Sequence, residues 1–85
     1  MRKVFFEPIA HEQFLEWEHF DKKIFQKIVG LISETRNEPF KGIGKPEPLK
    51  HQFKGCWSRR ITNEHRLVYQ VTQDFIIVIS CKYHY

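Results

Sequence analysis

The 85-residue chain has only two cysteines, Cys56 and Cys81, and it has no long apolar run. The spacing of the two cysteines matches no zinc site. Two thiols in a reducing cytoplasm are favoured over a disulfide. No segment approaches the roughly 18 consecutive apolar residues of a membrane-spanning helix, and the N-terminus is too polar for a secretory signal. A P-loop, a nucleophile elbow and a dinucleotide-binding fingerprint are also missing. The sequence therefore predicts a small cytoplasmic protein without a membrane segment or a recognisable cofactor motif.

Aromatic residues supply much of the apolar bulk, since they make up 15% of the chain. This bulk matters because a domain of this size buries only about 60% of the surface that its unfolded chain exposes. We therefore expect residues 1–85 to form one domain around one core.

Charge is unevenly distributed along the chain, although the net charge is only +4. Residues 1–40 contain six Lys or Arg against seven Asp or Glu, whereas residues 41–85 contain eight against three. The excess of positive charge in the second half predicts a polyanionic partner there. The first half is predicted to act as a support.

The first forty residues have the patterns of one strand and two helices. Residues 3–6 are strand-like, and Pro8 suits the first turn of a helix because its missing N–H costs nothing there. Asp21 is expected to cap a second helix. The predicted buried faces are Ala10, Phe14 and Trp17 on the first helix, and Ile24, Phe25, Ile28, Leu31, Ile32 and Thr35 on the second.

The rest of the chain is predicted to be a loop followed by strands. Residues 42–48 contain too many glycines and prolines for a regular element, and strands rich in Ile, Val and aromatics follow from Phe53. The resulting order is β-α-α-β-β-β, an α+β fold with two N-terminal helices on one face of an antiparallel sheet.

Strand register predicts a cationic face on this sheet. A three-residue loop at 72–74 would put Val71, Tyr69 and Leu67 opposite Phe75, Ile77 and Ile79, all facing the helices. Counting across residues 62–64 puts Arg60 beside Arg66 and leaves Arg59 on the apolar side. The opposite face would then carry Arg60, Arg66, Lys82 and His84.

The C-terminal run from Phe75 to Tyr85 is apolar and aromatic, whereas most chain ends are polar and frayed. Such a run is expected to be docked in the sheet, which would hold His84 and Tyr85 at the rim of the fold. The other histidines of interest, His11, His19 and His65, lack metal-ligand spacing and are predicted to be structural or surface residues.

Three side chains are candidates for acid–base chemistry on a phosphate. Cleaving RNA without a metal ion needs a base for the 2′-OH proton, an acid for the leaving 5′ oxygen, and cations around the phosphate. Glu47 is the candidate base, His84 the candidate acid, and Arg66 carries a planar fork that fits a phosphate. The plainer alternatives are a solvated loop glutamate, an inert terminal histidine, and a salt bridge from Arg66 to Glu64 or Glu47.

Five further residues are candidates for binding an RNA substrate. Basic side chains in this region suit contacts with the phosphate backbone, and a phenol near the chain end could stack on a base. Basic residues in strands are also common as plain solvated positions. The candidates are Lys50, His51, Arg59, Arg60 and Tyr85.

Four segments together resemble the YoeB toxins of the RelE/ParE superfamily, and the likeness runs nearly end to end. The fold expected from it is the RelE/ParE-like microbial RNase fold. The segments are Gly44-Lys45-Pro46-Glu47-Pro48-Leu49-Lys50-His51, Trp57-Ser58-Arg59-Arg60-Ile61-Thr62, Glu64-His65-Arg66-Leu67-Val68-Tyr69 and Lys82-Tyr83-His84-Tyr85.

The resemblance implies a toxin of a type II toxin–antitoxin system that cuts mRNA in the ribosomal A site. It implies no metal and no cofactor. By residue, it implies Glu47 as the general base, His84 as the general acid and Arg66 as the arginine that stabilises the transition state. Lys50, Arg60 and Tyr85 match supporting or substrate-contacting positions, and His51 and Arg59 match the pattern without a defined role.

The resemblance also implies partners. They are a second copy of the chain, the ribosome with its mRNA, and an acidic YefM-type antitoxin that would suit the basic second half. Operator DNA would be bound only through the antitoxin complex.

Two alternatives to a nuclease stay open at this point. A ParE-like inhibitor of DNA gyrase would use the same fold without an acid–base set. A simple nucleic-acid-binding module would explain the charge asymmetry but gives no role to His84 and Tyr85.

Overall fold

The computed structural model describes residues 1–83, which form two helices and a five-stranded sheet. The strands are β1 (Lys3–Phe6), β2 (Glu47–Pro48), β3 (Cys56–Arg60), β4 (Arg66–Val71) and β5 (Phe75–Ser80). The helices α1 (Pro8–Phe20) and α2 (Lys22–Asn37) lie between β1 and β2, and a 3₁₀ turn spans His51–Phe53.

The predicted α+β fold is confirmed, and the sheet is mixed rather than purely antiparallel. Its strand order is β1-β5-β4-β3-β2. β1 pairs with β5 in parallel, whereas the other neighbouring strands are antiparallel. The helical connection between β1 and the later strands allows this pairing, because parallel strands need a long crossover.

The helix boundaries and faces follow the local sequence signals. Pro8 occupies the first turn of α1, and the Asp21 side chain accepts a hydrogen bond from the Ile24 N–H at 3.2 Å to cap α2. Ala10 is fully buried, while Phe14 and Trp17 are half-buried against the core. The predicted stripe of α1 is therefore confirmed.

The core lies between the helices and the inner face of the sheet. α2 contributes Ile28, Leu31 and Ile32, and the hydroxyl of its buried Thr35 donates to the Leu31 carbonyl at 2.6 Å. The strands and their flanking residues contribute Ile61, Leu67, Tyr69, Ile76, Val78 and Cys81. Within residues 1–83, no helix is long and apolar enough to cross a bilayer.

The predicted register of the last hairpin is wrong by one residue. Val71 faces Ile76 and Tyr69 faces Val78, because Thr72 and Phe75 close a two-residue turn through a backbone hydrogen bond of 2.9 Å. A one-residue slip turns every side chain to the other face. Phe75 is therefore 41% exposed, while Ile76 and Val78 are fully buried.

Residues 42–48 were predicted to be a loop, but the last two of them form β2. Glu47 pairs with Ser58, and Pro48 pairs with Trp57. Proline has no N–H to donate to a neighbouring strand, so it is tolerated on edge strands. Pro48 fits here because β2 is the edge strand of the sheet. This short pairing fixes the backbone of the candidate base against β3.

Both cysteines are free thiols, and they differ in reactivity. Burial raises the pKa of the Cys81 thiol to about 12, with the Glu16 carboxylate adding to the rise and Lys82 opposing it. Burial also raises the pKa of Cys56, but Cys56 is only half-buried. Because the thiolate is the reactive form, we expect iodoacetamide to modify Cys56 well before Cys81 in the native protein at pH 8.

Peptide mass spectrometry during the alkylation measures this order directly. In concentrated urea both thiols should react at similar rates, since the burial that separates them is lost. Equal rates in the native protein would contradict the prediction.

Candidate active site

A small cleft on the sheet brings together two of the three predicted catalytic residues. Its volume is about 60 Å³, and its lining includes Glu47, Arg66 and Arg60 together with Lys45 and Ser58. Register explains the grouping, because Glu47 faces Ser58 across β2 and β3, and Arg60 faces Arg66 across β3 and β4. The predicted neighbourhood of Arg60 and Arg66 is confirmed.

The cleft concentrates positive charge around one carboxylate. Lys45, Arg60 and Arg66 supply three cations, and Glu47 supplies the carboxylate. Like charges directly opposite each other on a sheet are destabilising, so the Arg60–Arg66 pair raises the energy of the empty cleft. An anion lying between the guanidiniums removes that repulsion. The arrangement therefore suits a phosphate beside a general base.

The Arg66 guanidinium is held by the turn between β3 and β4. Its Nη1 donates to the carbonyls of Thr62 at 2.6 Å, His65 at 3.1 Å and Asn63 at 3.3 Å. This anchoring takes the place of the salt bridge to Glu64 considered as an alternative. The three hydrogen bonds of Nη1 fix the direction of the guanidinium. The Arg66 side chain lies half-buried at the cleft.

The backbone of the C-terminal segment is bound to the strand that carries Arg66. The Arg66 N–H donates to the Tyr83 carbonyl at 3.1 Å, and the Tyr83 N–H donates to Nδ1 of His65 at 2.8 Å. The His65 ring also meets Trp17 edge-on, with ring centres 4.9 Å apart. His65 is therefore a structural residue, as predicted, and its role is to hold the segment that leads to His84.

Helix α1 binds the same segment from the other side. The Cys81 N–H donates to Oε1 of Gln13 at 2.8 Å, and Nε1 of Trp17 donates to the Cys81 carbonyl at 2.9 Å. The expected docking of the C-terminal run in the sheet is confirmed for Phe75–Ser80, and hydrogen bonds hold the backbone of residues 81–83 beyond the strand. The two predicted site residues His84 and Tyr85 lie outside the described residues.

Lys82 does not belong to the cationic face on which it was predicted. Its ammonium lies 3.8 Å from the Glu16 carboxylate and 5.7 Å from the centre of the Trp17 ring, both on α1. The chain leaves the regular strand after Ser80, so the alternation used in the prediction no longer applies there.

The predicted substrate residues Lys50 and His51 lie next to Glu47 but outside the Arg66 cleft. They are exposed, and with Glu47 they line a separate groove of about 380 Å³ formed by residues 47–53. His51 opens the 3₁₀ turn with a φ of +57°. Glu47 therefore borders both the cationic cleft and this groove.

The prediction that Arg59 contacts a substrate is wrong, because Arg59 has no exposed surface. It lies on the helix side of β3, where the sequence pattern had placed it without explanation. Its guanidinium is fully engaged inside the protein. Nη1 donates to Glu34 Oε2 at 3.1 Å and the Ile43 carbonyl at 2.9 Å, Nη2 donates to the Lys41 carbonyl at 2.8 Å and to the Glu38 carbonyl, and Nε donates to the Tyr69 hydroxyl at 3.2 Å.

The Arg59 contacts fix residues 38–43, the segment that leads into the cleft. The Tyr69 hydroxyl donates to the Pro39 carbonyl at 2.7 Å, and burial raises the pKa of Tyr69 despite the nearby guanidinium. Gly42 has a φ of +110°, and a Cβ there would lie 2.0 Å from Glu34 Oε2. This segment is therefore held from α2, β3 and β4 before the chain reaches Lys45 and Glu47.

Sequence reasoning did not name Lys45 or Ser58 as site residues, and it missed Gln13 as a contact of the C-terminal segment. Lys45 precedes the matched Pro-Glu-Pro motif, which is a usable signal. Gln13 has none, because its partner lies 68 residues away. Among residues 1–83, no group of three or more His, Cys, Asp or Glu side chains is arranged to hold a metal ion.

A comparison with protein families matches residues 6–85 to a YoeB-like toxin of bacterial type II toxin–antitoxin systems. The chain belongs to the YoeB toxin family. Toxin YoeB of Escherichia coli K12 is 52% identical over 83 residues, which cover 98% of this chain and 99% of that toxin. The predicted resemblance is thus confirmed.

Solved structures of YoeB proteins share the fold over their whole length. A YoeB dimer from Staphylococcus aureus has a TM-score of 0.91 at 46% identity, covering 99% of this chain and 98% of that chain. A heterotetrameric YoeB–YefM toxin–antitoxin complex from the same organism has a TM-score of 0.90 at 45% identity, covering 100% and 99%. The YoeB fold therefore holds for this chain.

Proposed function

We propose that this YoeB-family toxin is a metal-independent endoribonuclease that cuts mRNA in the ribosomal A site and so inhibits translation. The observation that carries the proposal is the cleft whose lining brings Glu47 together with Arg60 and Arg66. A base beside fixed cations is what attack on a phosphodiester requires.

The reaction is an internal displacement at phosphorus. Glu47 removes the proton of the 2′-OH, and the 2′ oxygen forms a bond to the adjacent phosphorus. The bond from phosphorus to the 5′ oxygen breaks, and His84 donates its proton to that oxygen. The products are a 2′,3′-cyclic phosphate and a 5′-OH. Arg66 and Arg60 stabilise the charge that develops on the phosphate oxygens.

The assignment of His84 as the acid rests on the family match and on the residue that precedes it. The family match includes residues 6–85, and Tyr83 is hydrogen-bonded through its backbone to both His65 and Arg66. Tyr83, the residue before His84, therefore lies beside β4, the strand that carries Arg66. A histidine holds and releases a proton near neutral pH, as the acid must.

Substrate binding is assigned to basic and aromatic residues around Glu47. Lys50 and His51 border the groove on one side of it and are exposed. We assign them contacts with the RNA backbone, and we assign Tyr85 stacking on a base. The +5 balance of residues 41–85, from eight basic against three acidic residues, favours binding to the ribosome's RNA.

The proposed protein partners are a second copy of the chain and a YefM-type antitoxin, as in the two Staphylococcus aureus assemblies. Phe5, Phe75 and Ile77 form an apolar hollow of about 260 Å³ on the outer side of β1 and β5. Exposed apolar surface of this kind suits a protein partner. Operator DNA would be bound through the antitoxin complex, and the toxin would act in the cytoplasm.

The test is to express the toxin and to measure mRNA integrity and plasmid supercoiling in the same cells. We expect mRNA cleavage within reading frames and unchanged supercoiling. Glu47→Gln, expressed at the same level, should leave mRNA intact. Loss of supercoiling with intact mRNA would instead identify a ParE-like gyrase inhibitor and overturn the proposal.

A further inference from the structure

We propose that a second cleft, at the opposite end of the sheet from Arg66, binds the phosphate backbone of RNA. This N-terminal cleft has a volume of about 610 Å³, and Arg2, Lys3, Arg36 and Asp74 are among its lining residues. The inference rests on the proposed function for the identity of the polyanion as RNA.

The two arginines of the N-terminal cleft are held in fixed directions. Nε of Arg2 donates to the Thr72 carbonyl at 2.7 Å, and Nε of Arg36 donates to the Arg2 carbonyl at 2.7 Å. Both side chains are half-buried. In both residues this hydrogen bond uses Nε, and both side chains line the cleft. The terminal nitrogens of a guanidinium fork match the oxygens of a phosphate.

The charge and the lining of the cleft favour RNA over a protein partner. The lining contains three cationic side chains and one carboxylate, that of Asp74. Its apolar residues are Met1 and Phe75. Protein interfaces instead depend on buried aromatic and aliphatic anchors. Here the attraction is electrostatic, as in binding to a nucleic-acid backbone.

The position of the cleft makes it independent of the catalytic site. Lys3 pairs with Phe75 at the start of β5, whereas the Arg66 backbone meets Tyr83 beyond the end of that strand. The six residues of β5 alone separate these ends by about 16 Å. The two sites therefore contact different parts of an RNA partner, and the N-terminal half, predicted to be a mere support, gains a binding role.

Two double variants with the same net charge test the inference. R2Q/R36Q removes the anchored forks, and K22Q/K23Q removes two exposed cations at the start of α2. The probe is a short 2′-O-methyl RNA, which lacks the attacking hydroxyl and stays uncut. Each phosphate contact adds about 0.7 to the salt slope of single-strand binding, so removing one contact at each arginine should lower the slope by about 1.4. When salt rises from about 50 to about 200 mM, wild type should therefore lose about sevenfold more affinity than R2Q/R36Q.

K22Q/K23Q should keep the wild-type salt slope. Identical salt slopes for the two double variants would overturn the inference. It would also be overturned if R2Q/R36Q still bound RNA like wild type but no longer bound a purified antitoxin. If R2Q/R36Q does not fold, the Nε–H signals of Arg2 and Arg36 are followed by NMR while wild-type protein is titrated with the RNA. Changes in their chemical shifts support the inference, and unchanged shifts at saturation overturn it. Cleavage is not measured, so these outcomes are separate from failure of the proposed nuclease activity.

Discussion

Glu47→Gln should lower the rate of mRNA cleavage on purified ribosomes by about 10²- to 10⁴-fold, the range that a positioned general base contributes. The amide keeps the size of the side chain but does not accept the 2′-OH proton. Glu47 is exposed on the edge strand β2, so the substitution should leave the fold intact. Single-turnover cleavage with toxin in excess over ribosomes measures the chemical step.

Glu18→Gln is the matched control, because Glu18 is an exposed glutamate on α1 far along the chain from the cleft. It should cleave at the wild-type rate. A Glu47→Gln protein that cleaves within threefold of wild type would remove Glu47 from the role of base. Arg66→Lys adds a second check, since it keeps the charge but loses the fork, and it should also be strongly impaired.

Arg59→Met should destabilise the protein by about 3 kcal/mol or more. Removing one partner of a buried ion pair typically costs about 3–5 kcal/mol. The Glu34 side chain is 35% exposed, which weakens the Coulomb part of that cost. The loss of the hydrogen bonds to three backbone carbonyls and to Tyr69 acts in the same direction. For a domain of this size, the expected fall in Tm is about 12 °C or more.

Arg60→Met provides the comparison, because Arg60 is the next residue of β3 and lies exposed on the other face. A surface substitution of this kind usually changes the free energy of unfolding by less than about 0.5 kcal/mol. Urea unfolding followed by circular dichroism gives both values. Equal stabilities of the two variants would show that the buried guanidinium does not hold residues 38–43.

Elements of this fold were predictable from sequence because their signals are local. Pro8 and Asp21 mark helix starts, and the apolar spacing of α1 and α2 marks their buried faces. Register depends instead on turn geometry. The two-residue turn between Thr72 and Phe75 moved every side chain of β5 to the other face, and no local pattern distinguished it from a three-residue loop.

The candidate site was predictable where alternation along strands governs it. Arg60 and Arg66 were placed together correctly by counting across their turn, and Glu47 joined them through a pairing too short to predict. Arg59 was misassigned because its partners are mostly backbone carbonyls, which have no signature in sequence. Its position on the apolar side of β3 was the one available clue.

The parallel pairing of β1 with β5 has a consequence for synthesis of the toxin. β1 is the first strand to be translated, yet its strand neighbour is the last, with Lys3 facing Phe75. Chains emerge from the N-terminus onward, so β1 cannot form this pairing until β5 has been translated. The residues that dock on Arg66 are translated later still. The cleft proposed for mRNA cleavage therefore cannot gain its contact with the C-terminal segment until the chain has been translated as far as Tyr83.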